Sequence, residues 1–256
     1  MLRPRMLQVF SILYWAFFVA TLPALFAVAL LLFLATAAFD RRRFVLHLWS
    51  CVWGSFYIVV NPLWRERIAG RDRLPWRGPA VLVANHLSML DILVLYGLFR
   101  PFKWVAKAEL FKVPFVGWNM VINDYVPIWR GDRESVRRMM ERCRAHLARG
   151  TPVLLFPEGT RSRDGHLQPF KDGAFRLALD AGVPVIPIAI SGTSEALPKN
   201  GLVLRSRMDA RVEVLAPIRP EDHPTLDALK EAASAAIAAA LPEANRPAPR
   251  PAAAAR

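Results

Sequence analysis

From Met6 to Phe39 the chain carries no charged residue, and this run is bracketed by Arg3 and Arg5 before it and by "DRRR", Asp40 to Arg43, after it. One straight helix of that length would rise about 50 Å, against about 30 Å for the hydrocarbon core of a bilayer. Pro23 divides the run into two legs of about 16 residues, each about 24 Å long if helical. The expected arrangement is therefore a hydrophobic helical hairpin that crosses a thin membrane or sinks into one leaflet. Arginines at both ends favour both ends on the cytoplasmic side, which points to the inner (cytoplasmic) membrane with the body of the protein facing the cytoplasm. A signal peptide would instead pair a shorter apolar region with a small-residue cleavage site. The following segment, Phe44 to Trp64, carries Trp49, Trp53, Tyr57 and Trp64. It reads either as an aromatic membrane-interface segment or as a core helix of the next domain.

After "GRDRLPWRGPA" the pattern changes to that of a compact α/β domain. "AVLVAN", "TPVLLFP" and "VPVIPIAIS" are short apolar runs ended by turn residues, suited to buried strands. Between them, Val136, Met139, Met140, Cys143 and Leu147 recur at helical spacing on a core-facing stripe, with Gly150 where a C-terminal cap belongs. The 54% of apolar residues suffices for a large core. The fold class expected is α/β: a mixed sheet flanked by helices, preceded by the hydrophobic hairpin. The domain boundaries are 1–64 for the membrane-anchoring helices, 65–241 for the α/β domain and 242–256 for a disordered Pro/Ala/Arg tail.

The formal charge of +13 suits a nucleic acid, an anionic membrane or an anionic substrate. No nucleic-acid-binding motif organises the basic residues, so nucleic acid is not expected as a partner. Cys51 and Cys143 stand in no metal or redox spacing, which reads as a reduced environment without structural zinc. The serine-hydrolase, dinucleotide and P-loop signatures are missing.

Two polar clusters interrupt the buried strands. In "NHLSMLD", His86 and Asp91 would lie about 140° apart on one helix, so they meet only if the chain turns between them. Ser88 then caps the next helix, with Asp91 at its third position. Taken alone this is equally a capping box with a satisfied loop histidine. Alternatively the carboxylate fixes the histidine tautomer and leaves the other ring nitrogen as a base near neutral pH. In "FPEGTRS", Glu158 and Gly159 end a strand, Gly159 permits close approach of a ligand, Thr160 offers a hydroxyl and Arg161 a planar fork for phosphate.

Together and in this order, "NHLSMLD" and "FPEGTRS" resemble the NHxxxxD and FPEGTRS blocks of the glycerolipid acyltransferase family, nearest to the bacterial 1-acyl-glycerol-3-phosphate acyltransferases. "KAELFKVPFVGW", "YVPIWRGDRES" and "VPVIPIAISGT" agree with further blocks, although Asp124 and Pro127 stand where the family often has Gly and Phe. The resemblance runs from about Arg71 to Thr193. It implies that His86 is the general base for a glycerol hydroxyl and that Asp91 orients it. It implies a phosphate pocket of Lys107, Arg130 and Arg161 shaped by Gly159 and Thr160. Glu158 organises the loop, and Lys171 is a further candidate for an anionic group. The implied partners are the bilayer, a lysophospholipid acceptor and an acyl-coenzyme A or acyl-carrier protein donor; no metal or cofactor is implied. The two clusters are expected at opposite ends of one groove, with the acyl chain entering from the bilayer. The rivals are a phosphate-free lysolipid acceptor such as an aminoacyl lysolipid, a metal-dependent hydrolase using His86, Asp91 and Glu158, and a non-catalytic membrane-binding protein.

Overall fold

Pro23 does not break the N-terminal helix. In the structure, a computed structural model describing residues 4–197, 203–205 and 207–248, helix α1 runs unbroken from Pro4 to Thr36. An internal proline removes one N–H and crowds the carbonyl four residues back. Contacts on both sides of it hold the helix against α2 (Phe44–Val59). Before the proline, the Tyr14 hydroxyl donates to the Tyr57 carbonyl at 2.7 Å and Thr21 meets the Tyr57 hydroxyl at 2.8 Å. Beyond it, Trp49 Nε1 donates to the Leu25 carbonyl at 3.1 Å. The chain reverses instead at residues 37–43, where Asp40 accepts hydrogen bonds from the first backbone N–H groups of α2, those of Phe44 and Val45, at 2.8 Å each. A hydrophobic hairpin therefore forms, but its second leg is α2.

That second leg is a core helix. Trp53, Tyr57 and the following Trp64 are buried, and they join Tyr14, Leu22 and Ala29 of α1 in one cluster with Leu82, Leu154 and Ile186 of the sheet. Burying side chains of this size contributes about 1.5–3 kcal/mol each. The N-terminal helices are thus packed on the α/β body along their length.

Seven strands make one mixed sheet among the described residues: β1 (Trp64–Ala69), β2 (Val81–Ala84), β3 (Lys103–Lys107), β4 (Val126–Ile128), β5 (Val153–Leu155), β6 (Val185–Ser191) and β7 (Met208–Val214). Their spatial order is β1-β7-β6-β2-β5-β3-β4. From β6 to β4 the neighbours are parallel, while β6 and β7 run antiparallel. The three strands expected from the sequence are the adjacent β2, β5 and β6. Each is buried on both faces, because alternate residues feed two cores: Leu82 and Leu154 face α1, α2 and α3 (Leu90–Tyr96), whereas Val81, Val83 and Val153 face the other helices.

On that second face lie α5 (Arg133–Ala148), α6 (Gly173–Ala181) and α8 (Leu226–Ala240); a short α4 (Val116–Ile122) follows β3, and α7 (Thr193–Ala196) follows β6. Helix α5 is the expected one. Asp132 caps it through the N–H groups of Glu134 and Ser135, and Gly150 takes φ +68 just past its end. Met139, Met140, Cys143 and Leu147 are buried, but Val136 is 39% exposed, on the open side of the stripe. Of the expected tail, Asn245 is tied to the domain: Leu167 N–H donates to its carbonyl at 3.0 Å and its Nδ2 donates to the Gly165 carbonyl at 2.9 Å. Residues 249–256 of that tail lie outside the described residues.

Candidate active site

The parallel run of strands sets the site. The carboxyl ends of β2, β5, β3 and β4 share one edge of the sheet, and each is followed by one of the quoted sequence blocks. Between β2 and α3 the chain turns sharply, as it must for His86 to reach Asp91. His86 Nδ1 lies 2.8 Å from Asp91 Oδ2, and that oxygen also accepts the backbone N–H groups of Leu87 at 2.6 Å and Ser88 at 2.8 Å. The second oxygen, Oδ1, accepts the Thr193 hydroxyl at 2.5 Å. Asp91 therefore does both jobs read from the sequence: it ties down the turn before the helix and holds the imidazole. An acceptor-only carboxylate obliges Nδ1 to carry the proton, which leaves the lone pair on Nε2.

The two sequence clusters are not at opposite ends of a groove. They are fastened to each other by two hydrogen bonds of the His86 backbone, because β2 and β5 are neighbours. His86 N–H donates to Glu158 Oε1 at 2.7 Å, and Ser162 N–H returns a bond to the His86 carbonyl at 2.8 Å. The other Glu158 oxygen accepts Gln168 N–H at 3.1 Å. Burial pushes the Glu158 carboxyl up to about 7, against the pull of those two N–H donors. Phe156 lies flat on the imidazole, with ring centroids 3.9 Å apart and planes 13° apart.

Gly159 adopts φ +71, and a Cβ there would stand 2.7 Å from Lys171 Nζ. The glycine thus meets a conformational need and leaves room for the lysine ammonium over the turn. Arg161, next to Ser162, is half-buried beside the histidine strand, and Thr160 is exposed. Lys107 and Arg130 sit at the ends of β3 and β4, second and third neighbours of β2 on the same edge, about 10 and 14 Å along at the usual strand spacing. Lys107 pairs with Glu109 at 2.8 Å and holds that carboxyl below its ordinary range, with Arg130 acting in the same direction. His86, Asp91, Glu158, Gly159, Arg161 and Lys171 are therefore gathered at adjacent strand ends; Lys107 and Arg130 extend the basic edge away from them.

Sequence reasoning did not single out Thr193, Phe156 or Asn85. Asn85 exchanges hydrogen bonds with the backbone of Ile190, at 2.8 and 2.7 Å, and so locks β2 to β6 behind the histidine. All three stood inside quoted blocks, but their partners are set by strand order. Also unanticipated in outline is an apolar cavity of about 220 Å³ between α1, α2, α3 and the segment after β3, lined among others by Trp53, Tyr57, Leu93, Trp104 and Met120. Its wall is joined to the histidine turn, although His86 itself does not line it. Met89 and Leu90 of its wall follow His86 in the chain, and Trp104 lies 6.0 Å from Phe156, ring centre to ring centre. His86 is thus linked on one side to residues of the cavity wall and on the other to the turn that carries Arg161.

The sequence model of the acyltransferase family matches residues 65–191. The 1-acyl-sn-glycerol-3-phosphate acyltransferase of Chlamydomonas reinhardtii is 38% identical over 91% of this chain and 69% of its own length. The chloroplastic enzyme of that name from Brassica napus is 40% identical over 70% of this chain and 52% of its own length. That of Pseudomonas aeruginosa is 33% identical over 63% of this chain and 62% of its own. The chain thus spans less than two thirds of the length of these last two relatives. The fold is similar to the crystal structure of the 1-acyl-sn-glycerophosphate acyltransferase of Thermotoga maritima, with a TM-score of 0.74 over 90% of this chain and 94% of that one, at 23% identity. With both motif blocks assembled into one site and relatives matched along most of its length, this chain belongs to the acyltransferase family that includes the 1-acyl-sn-glycerol-3-phosphate acyltransferases, enzymes that transfer acyl groups to oxygen.

Proposed function

We propose that the protein moves a fatty acyl chain from an acyl thioester to the free hydroxyl of 1-acyl-glycerol-3-phosphate, giving phosphatidic acid. The observation that carries this reading is the imidazole of His86, oriented by Asp91 and tied through its backbone to the turn that carries Gly159 and Arg161. His86 Nε2 takes the proton of the glycerol hydroxyl as its oxygen attacks the thioester carbonyl. Asp91 stabilises the imidazolium through Nδ1–H. Collapse of the tetrahedral intermediate breaks the C–S bond, and the proton passes from Nε2 to the departing thiolate, so that one ester and one thiol leave. No covalent acyl-enzyme is needed. The cavity receives an acyl chain, while Arg161 and Lys171 face the acceptor's phosphate, with Arg130 and Lys107 available to the donor's anionic groups or the headgroup. The donor is acyl-coenzyme A or acyl-carrier protein, and no step of this reaction calls on a metal.

Residues 1–64 act in this reading as the membrane anchor and 65–241 as the catalytic domain, held on the cytoplasmic side of the inner membrane. Ser11, Tyr14, Leu22, Ala29 and Thr36 form a narrow buried stripe along α1, and Val9, Ile12, Leu13, Val19, Leu31 and Leu34 stand exposed around it. A helix fastened to the domain along that stripe lies in one leaflet; to span the bilayer it would drag the domain into the hydrocarbon.

The test is an assay with lysophosphatidic acid and both donors, with mass analysis of the product, beside a phosphate-free lysolipid. Phosphatidic acid formed from neither donor overturns the proposal. A charge-assisted contact of about 1.5–3 kcal/mol predicts that Arg161→Ala loses about 10 to 150 fold in catalytic efficiency for the phosphate-bearing acceptor. Arg161→Lys is expected to lose less, because the charge stays and the fork goes. Equal losses on both acceptors would remove Arg161 from phosphate recognition.

A further inference from the structure

The segment between β3 and β4 has two apolar sides. Its inner side, Leu110, Val116 and Met120, forms one wall of the cavity. Its outer side leaves Val113 41%, Trp118 46% and Val121 58% exposed. Seven residues cannot make an ordinary amphipathic helix, and among the described residues this outer side stays largely open, with Trp118 resting on Phe115 beside it. What adjoins it is α1: Phe26 meets Phe115 and Trp118 with ring centroids 6.0 and 5.6 Å apart. The exposed face of the segment therefore continues the apolar surface of α1, and the cavity lies between the two.

The borders of this patch are cationic. Lys112 extends its ammonium over the ring of Trp129, 5.2 Å from its centre, and Trp129 is 40% exposed. Lys107 and Arg130 flank the same end of the sheet, where Glu109 is already paired with Lys107. An indole and aliphatic patch rimmed by lysine and arginine matches a lipid leaflet, with hydrocarbon against the centre and anionic headgroups against the rim. The segment also carries a backbone joint. Phe115, between the turn at Ala108–Lys112 and α4, holds φ +62, which non-glycine residues seldom adopt.

We infer that residues 108–122 are a second lipid-contacting element and form, with α1, the portal through which a lipid's acyl chain passes from the leaflet into the cavity without crossing water. The portal half of this inference rests on the reading of the cavity as an acyl-chain site; the lipid-contact half does not. A chain drawn sideways between Trp118 and α1 exchanges one apolar environment for another, so the large cost of exposing it to water never arises.

Two measurements on the full-length protein decide it. Cys51 and Cys143 are buried, so a nitroxide attached to Val121→Cys reports from one place. On vesicles of phosphatidylcholine and phosphatidylglycerol, its collisions with oxygen are expected to rise and those with a water-soluble nickel chelate to fall by about tenfold each, as for a probe below the headgroups. A label still open to the nickel chelate overturns lipid contact. The variant Val113→Ser/Val121→Ser alters exposed side chains of the outer side and leaves the Trp118 contact with α1 in place. It is expected to lose about tenfold or more in efficiency with long-chain substrates held in those vesicles, while keeping its rate with a short-chain, water-soluble donor and acceptor. Equal loss on both substrate pairs, or loss on neither, overturns the portal. A wild-type protein inactive on lysophosphatidic acid would sink the proposed reaction and the portal with it, and the nitroxide would still decide lipid contact.

Discussion

Asp91 is where a local role and a chemical one meet in one carboxylate, and substitution separates them. His86→Ala is expected to remove the roughly 100 to 10,000 fold that a general base supplies, with unchanged circular dichroism. Retention of a tenth of the wild-type turnover would remove His86 from that role. Asp91→Asn keeps an oxygen for the N–H groups of Leu87 and Ser88, so the turn survives, yet turnover should fall by a comparable factor because the imidazolium loses its counter-charge. Glu158 has its own signature. Its folded value of about 7 lies above the ordinary 4.5, so the folded state holds this proton the more tightly. The stability it contributes is full below about 4.5 and is lost as the pH rises through 7. The turn behaves oppositely, since the ionised carboxylate accepts the His86 and Gln168 N–H groups more strongly than the acid does. Activity is therefore expected to rise through pH 7, and Glu158→Gln should flatten that limb of the pH–rate profile and remove the matching slope in melting temperature. The meeting of His86 with Asp91 was legible because that motif is contiguous in the chain. Thr193 was not, because its bond to Asp91 spans 102 residues and exists only once the β6 end lies beside the β2 end.

Among the elements, α1 departs furthest from what its sequence suggests. Proline and the length of the apolar run argued for a break, and both arguments treat a helix as if it stood alone. Tyr57, Trp49 and Thr21 supply what an isolated helix lacks. The strands β2, β5 and β6 were readable because burial on both faces leaves an uninterrupted apolar run. Edge strand β1, "WRERIA", was not, since its exposed arginines mask the alternation that only pairing with β7 explains. The anchor also gives a sharp expectation. Deleting residues 1–36 uncovers Tyr57 and Trp64, which are 1% and 5% exposed in the intact chain. The shortened protein is therefore expected to aggregate on size-exclusion chromatography without detergent. Recovery as a soluble, active monomer would show that α1 is peripheral to the core.

Across the whole molecule, the C-terminal segment, the loop at 162–168 and the turn at His86 form one chain of hydrogen bonds. Asn245 holds Gly165 and Leu167, Gln168 N–H holds Glu158, and Glu158 holds His86. Ending the chain after Leu241 removes the first link. Each such bond contributes about 0.5–1.5 kcal/mol, so hydrogen exchange at Gln168 and Ser162 should quicken by about tenfold and turnover fall severalfold, with little change in global unfolding. Unaltered exchange at both amides would uncouple the tail from the site. The fastening of α1 has a wider consequence. A surface-bound helix that is free to roll lets its cargo tumble above the bilayer, but one pinned from Ser11 to Thr36 gives the domain a single permitted attitude. On the proposed function, the sheet edge that carries His86 then stays at a constant depth, and encounter with lipid substrates becomes a search in two dimensions. What such an enzyme senses is the mole fraction of its acceptor in the leaflet, and diluting the suspension with buffer leaves that quantity untouched.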